Sequence, residues 1–340
     1  MNKNHANRIC ALFLALLLLT ACGAPREHSR SFFAMDTAMS LRFYGGSEAL
    51  AEQAEELVAE LEARLSVTRS GSELHALNRD GEGTLSAETA ALLRRALELC
   101  GETGGALDVT IYPVLRAWGF TTGDYRVPTQ TELDALLENV DYRRVSLGED
   151  GSVALPDGME LDLGAVAKGY TGDLLCALLR DKGVESALLD LGGNIQALGT
   201  KPDGSPWRIG IRDPKGTGLL GVLEMRDMAV VTSGGYERYF EDSAGRLWWH
   251  ILDPADGYPA RSGLSSVTVI GGEGLRCDAL STALFVMGEE KAVEFWRARG
   301  DFDLVLARAD GSLVITDGIS DTFTPGQGRS AEVVKRDGSV

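Results

Sequence analysis

Apolar residues recur at helical spacing in several segments of the chain. The clearest segment is 48–65, where the apolar positions are Leu50, Ala54, Leu57, Leu61 and Leu65. Ser86 is a suitable N-cap for a second helix that ends near residue 102, and Thr129 with Glu132 forms a capping box for a third over 130–139. Further helices are predicted over 166–182, 276–287 and 289–299.

Short apolar or alternating runs between these segments predict strands. The first lies in AMDTAMSLRFYG at 34–45, and the others are at 143–147, 159–163, 186–191, 207–212, 228–232, 265–270, 303–308 and 311–315. Strands and helices interleave without a regular alternation, so the pattern favours an α+β fold over a doubly wound parallel sheet.

The composition favours one large globular domain or two closely packed ones. The chain has 340 residues, of which 24% are charged, so it can bury a large core and shows no sign of disorder. Its formal net charge is -17. Because a phosphate backbone is bound by Lys and Arg clusters, this acidity argues against a nucleic-acid partner. Any phosphate handled by the protein is expected to come with a metal ion.

The first residues have the pattern of a secretion signal. Lys3 and Arg8 precede an apolar run over 9–19. This run is too short to span a membrane as a stable helix. The run ends in LTAC at 19–22, which resembles a bacterial lipoprotein signal. We therefore predict a signal peptide over 1–21, lipid on Cys22, and an extracytoplasmic protein anchored to the bacterial cell membrane. An ordinary secretory signal with an incidental cysteine is the alternative.

The three remaining cysteines outside the signal are scattered. Cys100, Cys176 and Cys277 show no C-x-x-C spacing, which argues against a zinc site. Cys100 and Cys176 lie in helical patterns and are predicted to be core residues.

The helix over 276–287 combines an apolar face with polar side chains near its start. Asp278 and Thr282 are spaced i,i+4, so their oxygens lie one turn apart on the same side, with Ser281 beside them. Hard oxygen ligands with few charges suit Mg²⁺, which borrows further ligands from substrate phosphates. A helix cap at Asp278 and a backbone hydrogen bond from Thr282 remain the alternative.

Four other stretches carry side chains suited to chemistry. LDLGAVAKGYTGDLL places Lys168 in the first turns of a helix, where a cation is unfavourable unless an anion lies nearby; a surface lysine is the alternative. VVTSGGYERYF puts Ser233 and two glycines after a strand. The glycines either let the backbone approach a ligand closely or form a simple tight turn. His250 ends an aromatic strand and remains ambiguous. Asp108 lies beside aromatic residues, which are more often core than a cofactor site.

These stretches together, in this order, resemble the ApbE-type FAD:protein FMN transferases. The matching motifs are AMDTAMSL, SELHALN, ALDVTIYPV with WGF, LDLGAVAKGYTGD, ALLDLGGNIQALG, TSGGYERYF, HILDPADGYPA and CDALSTALF. The resemblance covers about 32–320. It implies an ApbE-like mixed fold with largely antiparallel sheets and packed helices, in a domain over 32–324 between a tether at 22–31 and a polar tail at 325–340.

The resemblance also implies an activity. The family splits FAD at its pyrophosphate, joins FMN to a threonine or serine hydroxyl of an acceptor protein and releases AMP, with Mg²⁺ as cofactor. The acceptors are typically extracytoplasmic subunits of electron-transport complexes. An FAD pyrophosphatase and a non-catalytic FAD-binding lipoprotein are the alternatives.

Site residues follow from the matched positions. The residues expected to contact FAD are Met35, Ala106, Leu107, Asp108, Asp162, Lys168 and Leu252. The residues expected around Mg²⁺ are Asp278, Ser281, Thr282 and Ala165, the last through its carbonyl. Lys168 and Asp278 are expected to be catalytic, and His250 is our candidate for removing the acceptor proton, because a histidine titrates near neutral pH. Thr68 is also expected at the FAD site, where the family commonly has a tyrosine near the flavin, so stacking on the flavin is not expected at this position.

Overall fold

Interleaved strands and helices give the α+β fold that the sequence predicts. The computed structural model describes residues 25–337. Its strands are β1 (Glu27–Ala34), β2 (Thr37–Tyr44), β3 (Glu82–Thr84), β4 (Ser146–Leu147), β5 (Ser152–Ala154), β6 (Ser186–Leu191), β7 (Asn194–Gly199), β8 (Trp207–Arg212), β9 (Leu219–Met225), β10 (Ala229–Gly234), β11 (Tyr239–Glu241), β12 (Leu247–Trp249), β13 (Leu264–Gly271), β14 (Phe302–Arg308), β15 (Leu313–Thr316), β16 (Phe323–Pro325) and β17 (Ala331–Val334). Its α-helices are α1 (Glu48–Leu65), α2 (Glu73–Asp80), α3 (Ala87–Glu102), α4 (Tyr112–Ala117), α5 (Gln130–Leu137), α6 (Gly164–Asp181), α7 (Gly274–Met287) and α8 (Glu289–Arg299).

A large sheet with the strand order β1-β2-β6-β7-β10-β13-β14-β15-β17 forms the centre of the fold. Its neighbouring strands are antiparallel, except β15 and β17, which are parallel. Side chains alternate between its two faces, as expected for strands. In β14, Leu304 and Leu306 pack with α7 and α8, while Val305 and Ala307 pack with β8 and β9. Helices therefore cover one face, and the smaller sheet β16-β9-β8 covers the other.

Helices α6 and α7 touch through glycines. A Cβ on Gly169 would lie 2.2 Å from the carbonyl oxygen of Gly274 and 2.8 Å from the Cβ of Asp278. No side chain larger than hydrogen fits there unless the helices move apart. This contact sets the first turns of the two helices directly against each other.

Each of these helices also offers a carboxylate to the backbone of the other. Asp173 of α6 accepts hydrogen bonds from the amides of Gly274 (2.7 Å) and Leu275 (2.8 Å), the first residues of α7. Asp278 of α7 accepts a hydrogen bond from the amide of Gly169 in α6 (2.9 Å). The residue before α7, Glu273, provides no side-chain cap, so Asp173 supplies it from the neighbouring helix.

Both ends of the predicted domain need correction. The tether predicted over 22–31 is wrong from residue 27, because β1 begins there and pairs with β2. The segment is polar and looked like a linker, yet His28 is buried and stacks on Phe43, with ring centroids 5.4 Å apart. The polar tail predicted over 325–340 is also wrong in part, because β17 adds to the edge of the sheet beside β15. The predicted signal peptide over 1–21 and lipid site at Cys22 lie outside the described residues.

Several internal predictions also differ from the structure. No strand forms over 159–163, where Glu160 makes only an isolated bridge with Ile111. Strands β7 and β9 were not predicted, because polar Asn194 and Gln196 take buried positions in β7 and Gly221 interrupts the hydrophobic pattern of β9. By contrast, α1, α7 and α8 lie where the periodicity placed them, and Cys100, Cys176 and Cys277 are buried free thiols, as predicted for the first two. None of the helices within residues 25–337 has the length and apolar character needed to cross a bilayer.

The Gly169 contact can be tested by adding one methyl group. We expect Gly169→Ala to lower the free energy of unfolding by about 1–3 kcal/mol, because the new Cβ overpacks the α6–α7 contact. The matched control is Gly101→Ala in α3, whose Cβ would come no closer than 3.8 Å to Tyr142. That change should be neutral or stabilise by up to about 1 kcal/mol, since alanine favours helix. Urea denaturation measures both, and equal effects would contradict the close contact.

Candidate functional site

A cleft of about 700 Å³ opens where the first turn of α6 meets α7. The predicted site residues that line it are Met35, Ala106, Leu107, Asp108, Asp162, Ala165, Lys168, His250, Leu252, Asp278 and Thr282. These residues come from positions 35 to 282 of the chain, so the fold gathers most of the predicted site in one place. Ser281 and Thr68 are not among the lining residues.

Asp278 presents a buried carboxylate to this cleft. The residue is 4% exposed, and its Oδ2 accepts the hydrogen bond from Gly169. Burial raises the pKa of Asp278, which the charge of Lys168 and the Gly169 amide oppose. Within residues 25–337, no Lys or Arg forms an ion pair with this carboxylate, so its charge is only partly compensated.

Three hydroxyl groups lie beside Asp278. The Oγ of Ser233, at the end of β10, is 2.8 Å from the Oγ of Ser281 and 3.3 Å from the Oγ1 of Thr282. Ser281 also donates a hydrogen bond to the carbonyl of Asp278 at 2.8 Å and is fully buried. Ser281 therefore ties α7 to β10 behind the cleft wall, while Thr282 faces the cleft.

The donor set fits Mg²⁺ better than a softer metal. The described residues contain no group of three or more His, Cys, Asp or Glu side chains able to hold a metal ion. Asp278, Thr282 and Ala165 all line the cleft and can offer oxygen ligands: a buried carboxylate, a hydroxyl and a backbone carbonyl, which has a second lone pair beyond any helical hydrogen bond. A divalent cation there would offset the charge of Asp278 that burial leaves poorly compensated.

Asp162 and Lys168 mark the start of α6. Asp162 Oδ1 accepts a hydrogen bond from the amide of Gly164 at 2.5 Å and so satisfies one of the free amides of the first turn. Burial raises the pKa of Asp162, and the charges of Arg238 and Lys168 oppose that effect. Lys168 faces the same cleft. This helix end therefore offers an ammonium group and backbone amides where an anion would bind.

Met35 lies at the tip of the β1–β2 hairpin. Its φ is 49° and that of Asp36 is 59°, so both central residues of the two-residue turn are left-handed without being glycine. The Thr171 hydroxyl of α6 contacts the Met35 sulfur at 3.8 Å. The strained turn thus holds the methionine against α6 at the rim of the cleft.

Asp108 uses its carboxylate to fix a loop. Oδ1 accepts hydrogen bonds from the amide and hydroxyl of Thr110 at 2.9 and 2.6 Å, and Oδ2 accepts one from the amide of Tyr142 at 3.0 Å. With both oxygens engaged, Asp108 shapes the wall on which Ala106 and Leu107 lie.

His250 faces the cleft as a neutral ring. Burial and the nearby charges of Arg238 and Lys168 lower the pKa of His250 to about 4. Its Nδ1 is 3.2 Å from the carbonyl of Arg238, which accepts a hydrogen bond from the protonated nitrogen. This tautomer leaves Nε2 free to accept a proton.

Thr68 does not join the site. It is exposed in the loop between α1 and α2, where its Oγ1 is 3.3 Å from the Oγ of Ser66. The motif match placed it near a flavin, and Thr68 is not among the residues that line the cleft.

Several cleft residues were missed by sequence reasoning. Glu237 and Arg238 follow the glycines of TSGGYERYF, and Arg212 ends β8. Asn194 begins β7 after LGG and also lines the cleft. Asp173 of α6, which caps the start of α7 and does not line the cleft, was missed as well. The glycines just before Asn194 and before Glu237 could have indicated these residues. Where glycines let the backbone approach a ligand closely, the neighbouring side chains can reach that ligand too.

Comparisons with known proteins point to one family. The model described as "ApbE family" matches residues 35–306. A protein named FAD:protein FMN transferase from Treponema pallidum (strain Nichols) is 35% identical over 92% of this chain and 94% of its own length. One with the same name from Klebsiella pneumoniae (strain 342) is 36% identical over 88% of this chain and 95% of its own.

Solved structures agree with that match. The crystal structure of the ApbE protein from Thermotoga maritima has a TM-score of 0.82 and 31% identity, and covers 86% of this chain and 98% of that protein. The apo form of the flavinyl transferase ApbE from Pseudomonas stutzeri has a TM-score of 0.79 and 30% identity, over 90% of this chain and 100% of that one.

The electrostatic environment of His250 gives a direct test. We expect Arg238→Gln to raise the pKa of His250 from about 4 toward its usual value near 6.5, because one of the two nearby positive charges is removed. NMR titration of labelled imidazole rings measures this shift, with His250→Asn identifying the signal. Arg246→Gln, on a residue paired with Asp242 instead, is the control. A wild-type His250 that titrates near pH 6.5 would contradict the geometry.

Proposed function

The chain belongs to the ApbE family and is a transferase, and we propose that it moves the FMN half of FAD onto an acceptor protein. The observation that carries this proposal is that Lys168 of α6 lines the same cleft as Asp278 and Thr282 of α7. The same cleft holds the other residues that the resemblance assigns to FAD, except Thr68. We propose Asp278, Thr282 and the carbonyl of Ala165 as ligands of Mg²⁺.

The reaction proposed is displacement at phosphorus. The oxygen of a threonine or serine hydroxyl on the acceptor attacks the phosphorus of the FMN half, the bond to the bridging pyrophosphate oxygen breaks, and AMP leaves with that oxygen. The products are the FMN phosphoester of the acceptor and AMP. Mg²⁺, when bound, would neutralise charge on the pyrophosphate oxygens.

The protein's own groups contribute binding, charge and proton transfer. The Lys168 ammonium and the amides at the start of α6 offset negative charge on the phosphates. His250 is neutral at physiological pH because its pKa is lowered to about 4, so its Nε2 is free to accept the hydroxyl proton, but it is a weaker base than a histidine that titrates near neutral pH. The negative charge of a bound diphosphate would raise this pKa, and the proton would then pass to solvent. Asp108 and Asp162 keep the loop and helix start in place.

Location and partners complete the proposal. We propose that Cys22 carries lipid and holds the protein on the outer side of the bacterial cell membrane. The acceptors proposed are extracytoplasmic subunits of electron-transport complexes, which such an anchor would place within reach. The acidic composition supports a protein partner over nucleic acid.

Incubation of the full chain with FAD, Mg²⁺ and an acceptor domain tests the activity. Intact-mass measurement should show the acceptor heavier by FMN less water, with AMP released in equal amount. Release of AMP with free FMN and no adduct would identify an FAD pyrophosphatase instead. Retention of intact FAD with no AMP would identify a non-catalytic FAD-binding protein.

Replacement of the Asp278 carboxylate tests the metal assignment. We expect Asp278→Asn to lower AMP release by about 100-fold or more, because the site loses its charged ligand. The fold should persist in EDTA, since the change removes a buried charge and keeps the side-chain shape. Mg²⁺ should raise the Tm of wild type but not of the variant.

The matched control for this variant is Asp303→Asn. Asp303 lies in β14 and accepts a hydrogen bond from Thr316 at 2.8 Å, outside the cleft. We expect it to keep both its Mg²⁺-dependent Tm shift and its turnover. Near-wild-type turnover of Asp278→Asn at limiting Mg²⁺ would refute the assignment.

The lipid anchor is tested at Cys22. Cys22→Ser should move the protein from the detergent phase to the aqueous phase in a phase-partition assay, because lipid attachment requires the thiol. Cys277→Ser, at a buried cysteine, is the control and should leave the partition unchanged. A Cys22→Ser protein that stays with membranes after a salt wash would exclude this anchor.

A further inference from the structure

Asn194 is held at the cleft by the turn that precedes it. The turn between β6 and β7 contains Gly192 and Gly193, with φ of 70° and 92°, and Asp190 accepts a hydrogen bond from the Gly193 amide at 2.9 Å. Asn194 then pairs in register with Val231 of β10. Its side chain lines the cleft, although the residue is only 3% exposed.

The Nδ2 of Asn194 meets no acceptor with hydrogen-bond geometry within residues 25–337. The Asn194 side chain lies near enough to Asp278 to lower the pKa of that carboxyl, but no hydrogen bond between the two satisfies Nδ2. A buried NH₂ group without an acceptor costs free energy, so an isolated donor of this kind is uncommon in a folded core.

The next side chain on the same strand face shows the contrast. Gln196 donates from Nε2 to the carbonyl of Gly169 at 3.1 Å and to Asp173 at 3.2 Å, and its Oε1 accepts from the Cys176 thiol at 3.4 Å. Gln196 therefore holds the α6–α7 contact together. Asn194, two residues earlier, reaches the cleft and is left as an open donor.

The position of Asn194 indicates the chemistry of its missing acceptor. Asn194, Lys168 and Asp278 all line the same cleft. Lys168 supplies a second open donor there. A ligand that meets both donors beside a cation site must be rich in acceptor oxygens, as a diphosphate is.

We propose that Asn194 is a substrate-binding residue that donates a hydrogen bond to a phosphate oxygen of the FAD diphosphate. This inference rests on the proposed function, because it takes FAD as the ligand of the cleft. It assigns Asn194 to the diphosphate and not to the flavin ring or to the placement of Asp278.

Ligands that share only part of FAD separate these roles. We expect Asn194→Ala to weaken binding of FAD and of ADP by about tenfold or more, because a hydrogen bond to a charged acceptor is lost. Riboflavin, which has no phosphate, should bind as it does to wild type. Flavin fluorescence measures FAD and riboflavin, and displacement of FAD measures ADP.

Two further variants keep the result interpretable. Asn194→Asp preserves the side-chain shape and replaces the donor with a negative charge, so it should weaken FAD and ADP more than alanine does. Ser266→Ala removes another buried side chain that has an unpartnered polar atom, in β13, and Ser266 is not among the residues that line the cleft. This control should bind all three ligands as wild type does.

Each outcome decides the proposal. Unchanged FAD and ADP affinity in both Asn194 variants, or an equal loss of riboflavin, would overturn it. Loss of the Mg²⁺-dependent Tm shift in Asn194→Ala with FAD affinity in EDTA intact would also overturn it, because Asn194 would then position Asp278. A wild-type protein that binds no FAD would overturn the proposed function itself, which the wild-type titration shows separately.

Discussion

The glycine contact between α6 and α7 is the constraint on which the site depends. With no side chain at Gly169 and Gly274, the two helices approach until the backbone of one meets the carboxylate of the other. The cleft then forms beside this contact, with Lys168 from one helix and Asp278 from the other. A larger separation would leave the same residues on two walls too far apart to share a ligand.

The two carboxylates at this contact have different tasks. Asp173 makes two hydrogen bonds to the first amides of α7 and one with Gln196, so its oxygens are consumed by structure. Asp278 accepts a hydrogen bond from the Gly169 amide of α6 and lines the cleft, which Asp173 does not. One carboxylate is therefore a structural cap, and the other remains accessible to a ligand in the cleft.

The sequence predicts elements that depend on the spacing of nearby residues, such as helices. It misses strands that form only by pairing with another strand. Helix α7 follows from its periodicity, and its polar residues follow from their i,i+4 spacing. Strand β1 could not be recognised, because its polar side chains become strand only through β2, and its turn uses Met35 and Asp36 without glycine. Asn194 was missed for a related reason: its lack of a hydrogen-bond partner depends on residues far away in the chain.

The early start of β1 limits where the cleft can operate. With Cys22 lipidated as proposed, Glu27 lies five residues beyond the lipid, a span of at most about 18 Å. The eight residues of β1 then cover about 26 Å and end beside Met35 at the rim of the cleft. Met35 would therefore stay within about 44 Å of the bilayer surface. Under that proposal an acceptor must bring its hydroxyl to about this distance from the membrane, which favours membrane-bound partners.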